Sequence, residues 1–130
     1  MKLGHVEHID MVVKDINRSV EYYKKFGLVV EGTLDKGKTV FLGNKDSRRP
    51  LVLELHQAEE GQKTGLDHIA LYVDDVGAAY DELVRNGIAF TLKPQHGTAS
   101  GRVIAVTEDP DGIRIQLAKK TTRGEYEDFK

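Results

Sequence analysis

Short runs of alternating apolar and polar residues, separated by two stretches of helical periodicity, make up most of the chain, and their order occurs twice. Val6 to Val13 reads as a strand running into Asp15, a suitable cap for a helix whose inward stripe is Ile16, Val20, Tyr23 and Phe26 and whose stop is Gly27. Asp75 opens a second helix in the same way, with Val76, Tyr80, Leu83 and Val84 inward and Gly87 after it. Three short strands follow each helix: Val29 to Leu34, Thr39 to Leu42 and Leu51 to His56, then Ile88 to Leu92, Arg102 to Val106 and Ile113 to Ala118. The breaks between them carry Gly and polar residues, notably Lys36-Gly37, Gly43-Asn44 and Asp109-Pro110-Asp111-Gly112. Glu59 to Gly65 reads as a linker, and the charged tail from 119 to 130 as a frayed end or a helix docked on a partner.

The two halves are copies of one unit. An offset of 60 residues lays Glu7-His8-Ile9-Asp10-Met11-Val12-Val13-Lys14-Asp15-Ile16 over Asp67-His68-Ile69-Ala70-Leu71-Tyr72-Val73-Asp74-Asp75-Val76, and pairs Gly27-Leu28 with Gly87-Ile88. A further shift of two residues sets Leu51-Val52-Leu53-Glu54-Leu55 against Ile113-Arg114-Ile115-Gln116-Leu117. The expectation is a single domain over 1–130, of two modules at about 5–58 and 66–119.

Residues two apart on a strand share a face, so parity sorts the side chains. Ile9, Met11 and Val13 form an apolar row that leaves His8, Asp10 and Val12 opposite; Ile69, Leu71 and Val73 leave His68, Ala70 and Tyr72. In the last strand of each half, Leu51, Leu53 and Leu55 leave Val52, Glu54 and His56, while Ile113, Ile115 and Leu117 leave Arg114, Gln116 and Ala118. His8, Glu54, His68 and Gln116 therefore share the face turned away from the helices. An antiparallel sheet commonly turns a polar face to water, which accounts for any one of the four. The set is less ordinary, because the repeat places a histidine at one step of both first strands and an oxygen donor at one step of both last strands. Two imidazoles, a carboxylate and an amide oxygen suit a divalent ion such as Ni, Co, Zn, Mn or Fe. His5 lies off this parity and His96 sits in a Gly- and Ser-containing stretch, so both are expected at the surface. His56, two residues from Glu54 and on the same face, is expected to line the substrate space, together with Val12 and Tyr72, with competition as a metal ligand the alternative.

Composition narrows the chemistry. The 130 residues contain no Cys, which removes disulfides, thiolate ligands and a cysteine nucleophile together. A formal net charge of -2 gives no electrostatic reason to expect a nucleic-acid or anionic-membrane partner. No apolar run is long enough for a signal peptide or a membrane span, so a cytoplasmic location is expected.

The segments Val6-Glu7-His8-Ile9 to Val13-Lys14-Asp15, Leu66-Asp67-His68-Ile69-Ala70-Leu71-Tyr72-Val73-Asp74-Asp75 and Glu108-Asp109-Pro110-Asp111-Gly112 resemble the vicinal oxygen chelate superfamily. That group includes glyoxalase I, methylmalonyl-CoA epimerase, extradiol dioxygenases, fosfomycin-resistance thiol transferases and bleomycin-binding proteins. The resemblance implies an α+β fold in which two βαβββ modules form a cupped, mostly antiparallel sheet with helices on the outer face and a metal inside, usually in a homodimer. The family's four metal positions fall on His8, Glu54, His68 and Gln116. Gln116 departs from the Glu typical there; its amide oxygen can ligate but cannot accept a substrate proton as a carboxylate does. Val12 and Ala58 replace an Arg and an Asn that contact glutathione in glyoxalase I. The compact length resembles bacterial glyoxalase I-like proteins, which often prefer Ni or Co.

The resemblance implies a metal-dependent isomerase or lyase that moves a proton on a small, oxygen-chelating substrate through a metal-bound enolate. Glu54, opposite the missing acid in the pseudo-symmetric arrangement, is the candidate base, and Arg114 the candidate anchor for a substrate carboxylate or phosphate. The alternatives are a protein that sequesters a small molecule, as the bleomycin-binding relatives do, and a metal-dependent thiol transferase.

Overall fold

The structure, a computed structural model, describes residues 1–46, 48–97 and 101–120. The expectation for the tail beyond 120 lies outside the described residues. Among the described residues, eight strands and two α-helices occur in the order βαβββ, βαβββ, an α+β fold: β1 Leu3–Val13, α1 Ile16–Lys24, β2 Val29–Leu34, β3 Thr39–Gly43, β4 Val52–Gln57, β5 Gly65–Val73, α2 Val76–Arg85, β6 Phe90–His96, β7 Arg102–Glu108 and β8 Arg114–Lys120. By spatial contact the chain divides into His8–Ile69 and a second unit formed by Met1–Glu7 with the chain from Ala70 onward.

In His8–Ile69 the strands run in the order β2-β3-β4-β1. β3 pairs antiparallel with both β2 and β4, whereas β4 lies parallel to β1 with Ile9 opposite Leu53, Asp10 opposite Glu54 and Val12 opposite His56. Asp15 caps α1 from an extended conformation, its side chain accepting from the Arg18 backbone N–H at 3.2 Å. One side of the sheet carries the core of Ile16, Leu28, Val40, Leu42, Leu53 and Leu55, against which Ile9, Met11, Val13, Val20 and Tyr23 pack. Phe26, expected in that stripe, is 66% exposed because α1 ends at Lys24 and the chain turns at Gly27 (φ 88°).

The second unit has its own core of Val73, Val76, Ala79, Val103, Ala105 and Leu117, with Tyr80, Leu83 and Phe90 packed on it. Asp75 caps α2 by accepting from Ala78 N–H at 2.9 Å. β7 pairs antiparallel with β6 and with β8. The Asp109 carboxylate accepts from the N–H groups of Asp111 (2.8 Å) and Ile113 (2.9 Å), which closes the turn into β8.

Several apolar positions differ from expectation for local reasons. Ile88 belongs to the helix end and not to β6: its N–H donates to Leu83 C=O and Gly87 N–H to Val84 C=O, a Schellman arrangement with Gly87 at φ 88°. Val84 is exposed on α2, and Leu51 and Ile113 are exposed just ahead of β4 and β8. Among the described residues no helix is long and apolar enough to cross a membrane.

Candidate metal-binding active site

Strand alternation puts His8, Asp10 and Val12 on the side of β1 opposite Ile9, Met11 and Val13, and Glu54 and His56 on the side of β4 opposite Leu53 and Leu55. Most of this polar face is buried. His8, Asp10, Glu54 and His68 are 2%, 3%, 9% and 8% exposed. Burying so many polar groups is costly unless each finds a partner or an ion, so the face is a built site and not an ordinary wet side of a sheet.

The two histidines meet through their Nε2 atoms, 3.1 Å apart. His68 Nδ1 lies 2.7 Å from Asp67 Oδ2; a carboxylate oxygen accepts, so Nδ1 is the donor there and Nε2 is the nitrogen turned toward His8. A carboxylate behind one imidazole nitrogen, with the other nitrogen aimed inward, is the usual support of a metal-ligating histidine. The donor atoms of His8, Asp10 and His68 lie within 4.8 Å of one another, as do those of Asp10, Glu54 and His56. Two imidazoles beside carboxylates fit a borderline divalent ion, so this donor set is compatible with the expected metal.

His56 holds the carboxylates together. Its Nε2 lies 2.6 Å from Asp10 Oδ2 and 2.9 Å from Glu54 Oε2, and its Nδ1 2.9 Å from the buried Thr39 hydroxyl. The hydrogen bonds to Asp10 and then Glu54 push the His56 pKa up to about 10 against the opposing effect of burial, so the ring is an imidazolium at neutral pH. Burial raises the Asp10 carboxyl above its ordinary value, an effect its bond to His56 partly offsets. A cavity of about 750 Å³ opens here, with Asp10, Val12, Thr39, Glu54, His56 and His68 in its lining and the exposed Lys38, Glu59 and Glu60 beside them.

Of the residues singled out by sequence, His8, Glu54, His56, His68 and Val12 are thus placed in His8–Ile69. Gln116, Arg114 and Tyr72 belong to the other unit. Gln116 is buried on β8 opposite Val106, Arg114 is exposed at the start of β8 opposite Glu108, and Tyr72 is half-buried with its ring stacked on His5 at 5.1 Å. His96, expected in solvent, is half-buried at the end of β6. Asp10 and Thr39 were not singled out. Parity put Asp10 on the correct face, but at the repeat offset its counterpart is Ala70, so the repeat does not mark it.

The fold and this histidine pair define a class. The chain belongs to the Glyoxalase/Bleomycin resistance protein/Dioxygenase superfamily, whose family model matches residues 3–117. It is 32% identical over 128 residues to the probable lactoylglutathione lyase of Vibrio cholerae, a match covering 90% of this chain and 91% of the relative. Identity to the lactoylglutathione lyase of Escherichia coli O157:H7 is 30% over 126 residues, covering 90% and 93%. Among solved structures, a Streptomyces coelicolor methylmalonyl-CoA epimerase variant in complex with 2-nitronate-propionyl-CoA has the same fold at a TM-score of 0.77 and 20% identity, covering 93% of this chain and 97% of that one. The methylmalonyl-CoA epimerase of Mycobacterium tuberculosis gives 0.76 at 16% identity, covering 95% and 92%.

Proposed function

We propose that the chain is a metal-dependent isomerase or lyase of the glyoxalase type, moving a proton on a small substrate that offers two oxygens for chelation. The observation that carries this reading is the buried His8–His68 pair, with facing Nε2 atoms and Asp67 behind His68. His8, His68 and Glu54 would hold the ion. When bound, a divalent cation supplies Lewis acidity that stabilises negative charge on a substrate oxygen.

The chain's own residues do the rest. Glu54 is the candidate proton acceptor: the residue is buried, lines the cavity and its Oε2 lies 2.9 Å from His56 Nε2. An isomerase must return a proton as well as remove one, and the His56 imidazolium keeps one within reach of both carboxylates. Thr39 and Val12 are buried in the lining of the same cavity. The lactoylglutathione lyase names of the relatives and the epimerase identity of the structural neighbours support a proton-transfer chemistry of this kind.

The test is a turnover screen of the protein, loaded in turn with Ni, Co and Zn, against thiol hemiacetals and acyl-CoA epimers, repeated with Glu54→Gln. Metal-dependent turnover that falls on the order of 100-fold in the variant is expected for the loss of a general base. Turnover unchanged in Glu54→Gln overturns the assignment. A metal-free protein that binds hydrophobic drugs and turns over nothing favours sequestration.

A further inference from the structure

We propose that Asp10 is itself a ligand of the divalent cation, joining His8 and His68 and adding a second carboxylate beside Glu54. The inference rests on the reading of this site as a metal centre and adds to it a ligand that neither the repeat nor the family pattern marks.

The geometry comes from two short strand segments. His8 and Asp10 stand two residues apart on the same side of β1, and their donor atoms lie within 4.8 Å of each other and of that of His68. His68 arrives from β5 with its Nε2 at 3.1 Å from His8 Nε2 and 3.8 Å from Asp10 Oδ2. Nitrogen and oxygen donors bound at roughly 2.0 to 2.2 Å to one ion stand about 3.0 Å apart at right angles, about 3.4 Å apart at tetrahedral angles and at most about 4.4 Å apart. Both separations fall in that range before any ion arrives.

The neighbouring groups point the same way. Strand pairing sets Asp10 directly beside Glu54, and His56 Nε2 reaches both carboxylates, at 2.6 Å and 2.9 Å. Asp10 is also held in place: Thr39 engages one nitrogen of His56 and the other nitrogen grips Asp10 Oδ2, the kind of outer support that orients a ligating carboxylate. A carboxylate has a second oxygen to offer in that arrangement.

The experiment uses cobalt(II) as the probe, titrated into the metal-stripped full chain and followed by visible absorption, with circular dichroism to check the fold. Asp10→Asn is expected to weaken cobalt binding on the order of 100-fold. Asp10→Cys provides a direct readout. The chain has no other cysteine, so a sulfur-to-cobalt charge-transfer band in that variant places residue 10 on the ion. Cobalt bound by Asp10→Asn with wild-type affinity and spectrum overturns the proposal, and so does cobalt bound by Asp10→Cys without the band. If Asp10→Asn fails to fold, the band decides. A wild-type chain that binds no cobalt sinks the metal centre as a whole, whereas failure confined to the Asp10 variants sinks only this ligand.

Discussion

Replacing His56 by Gln keeps a side chain able to hydrogen bond but removes the positive charge 2.6 Å from Asp10 and 2.9 Å from Glu54. Two unit charges about 4 Å apart attract by about 4 kcal/mol at an effective dielectric of 20, before desolvation is subtracted. Exposed pairs retain about 1 kcal/mol or less, and breaking a buried pair costs about 3 to 5 kcal/mol. The His56 side chain is 32% exposed and that of Asp10 4%, so the site falls between these limits. A loss of about 2 kcal/mol near pH 6 is expected for the metal-free protein. The pH dependence has a definite sign. With the His56 pKa raised from 6.5 to about 10 in the folded state, its contribution is complete below pH 6.5 while the carboxylates stay ionised, and it is lost as pH rises through about 10. Urea unfolding of metal-stripped wild type and His56→Gln at pH 6, 8 and 10 reads this directly, as a gap that narrows toward zero with unchanged m-values. No gap at pH 6, or a gap of the same size at all three values, refutes the charge arrangement.

Other consequences separate the two faces of the sheet and the support of the site. Leu55 is fully buried in the core under α1 while its neighbours Glu54 and His56 face the cavity. Leu55→Ala is expected to cost about 2 to 5 kcal/mol in urea unfolding and to leave cobalt affinity unchanged; a parallel loss of both would show that the faces are not independent. Asp75→Ala removes the cap bond to Ala78 N–H and should lower stability by about 1 kcal/mol, measured the same way, with a change near zero counting against that cap. Asp67→Asn weakens the partner that sets the His68 tautomer and should reduce metal affinity roughly 10- to 100-fold in a competition titration, with unchanged affinity contradicting that role.

Much of the fold is legible because the chain states its period clearly. Period-two alternation identifies which side of β1 and β4 carries His8, Asp10, Glu54 and His56, and the aspartates at 15 and 75 mark both helix starts as real caps. Element ends are less visible because they depend on backbone geometry. Ile88 looks like the first residue of a strand but its N–H closes a helix, and Phe26 continues the helical stripe in sequence after the helix has stopped. The histidine pair was accessible through the 60-residue repeat. The Asp10–His56–Thr39 connection was not, because at the repeat offset Asp10 matches Ala70, and His56 has Ala118 in its place in the second half. A polar face in sequence also does not say whether it is wet; only packing reveals that these groups are buried.

The metal content of the purified protein bears most directly on the central claim. Elemental analysis after dialysis, comparing the wild-type chain with the His8→Ala and His68→Ala variants, is expected to find one transition-metal ion per wild-type chain and essentially none in either variant. A wild-type chain that takes up no metal when supplied with Ni, Co, Zn, Mn or Fe, or variants that retain the ion in full, would contradict it.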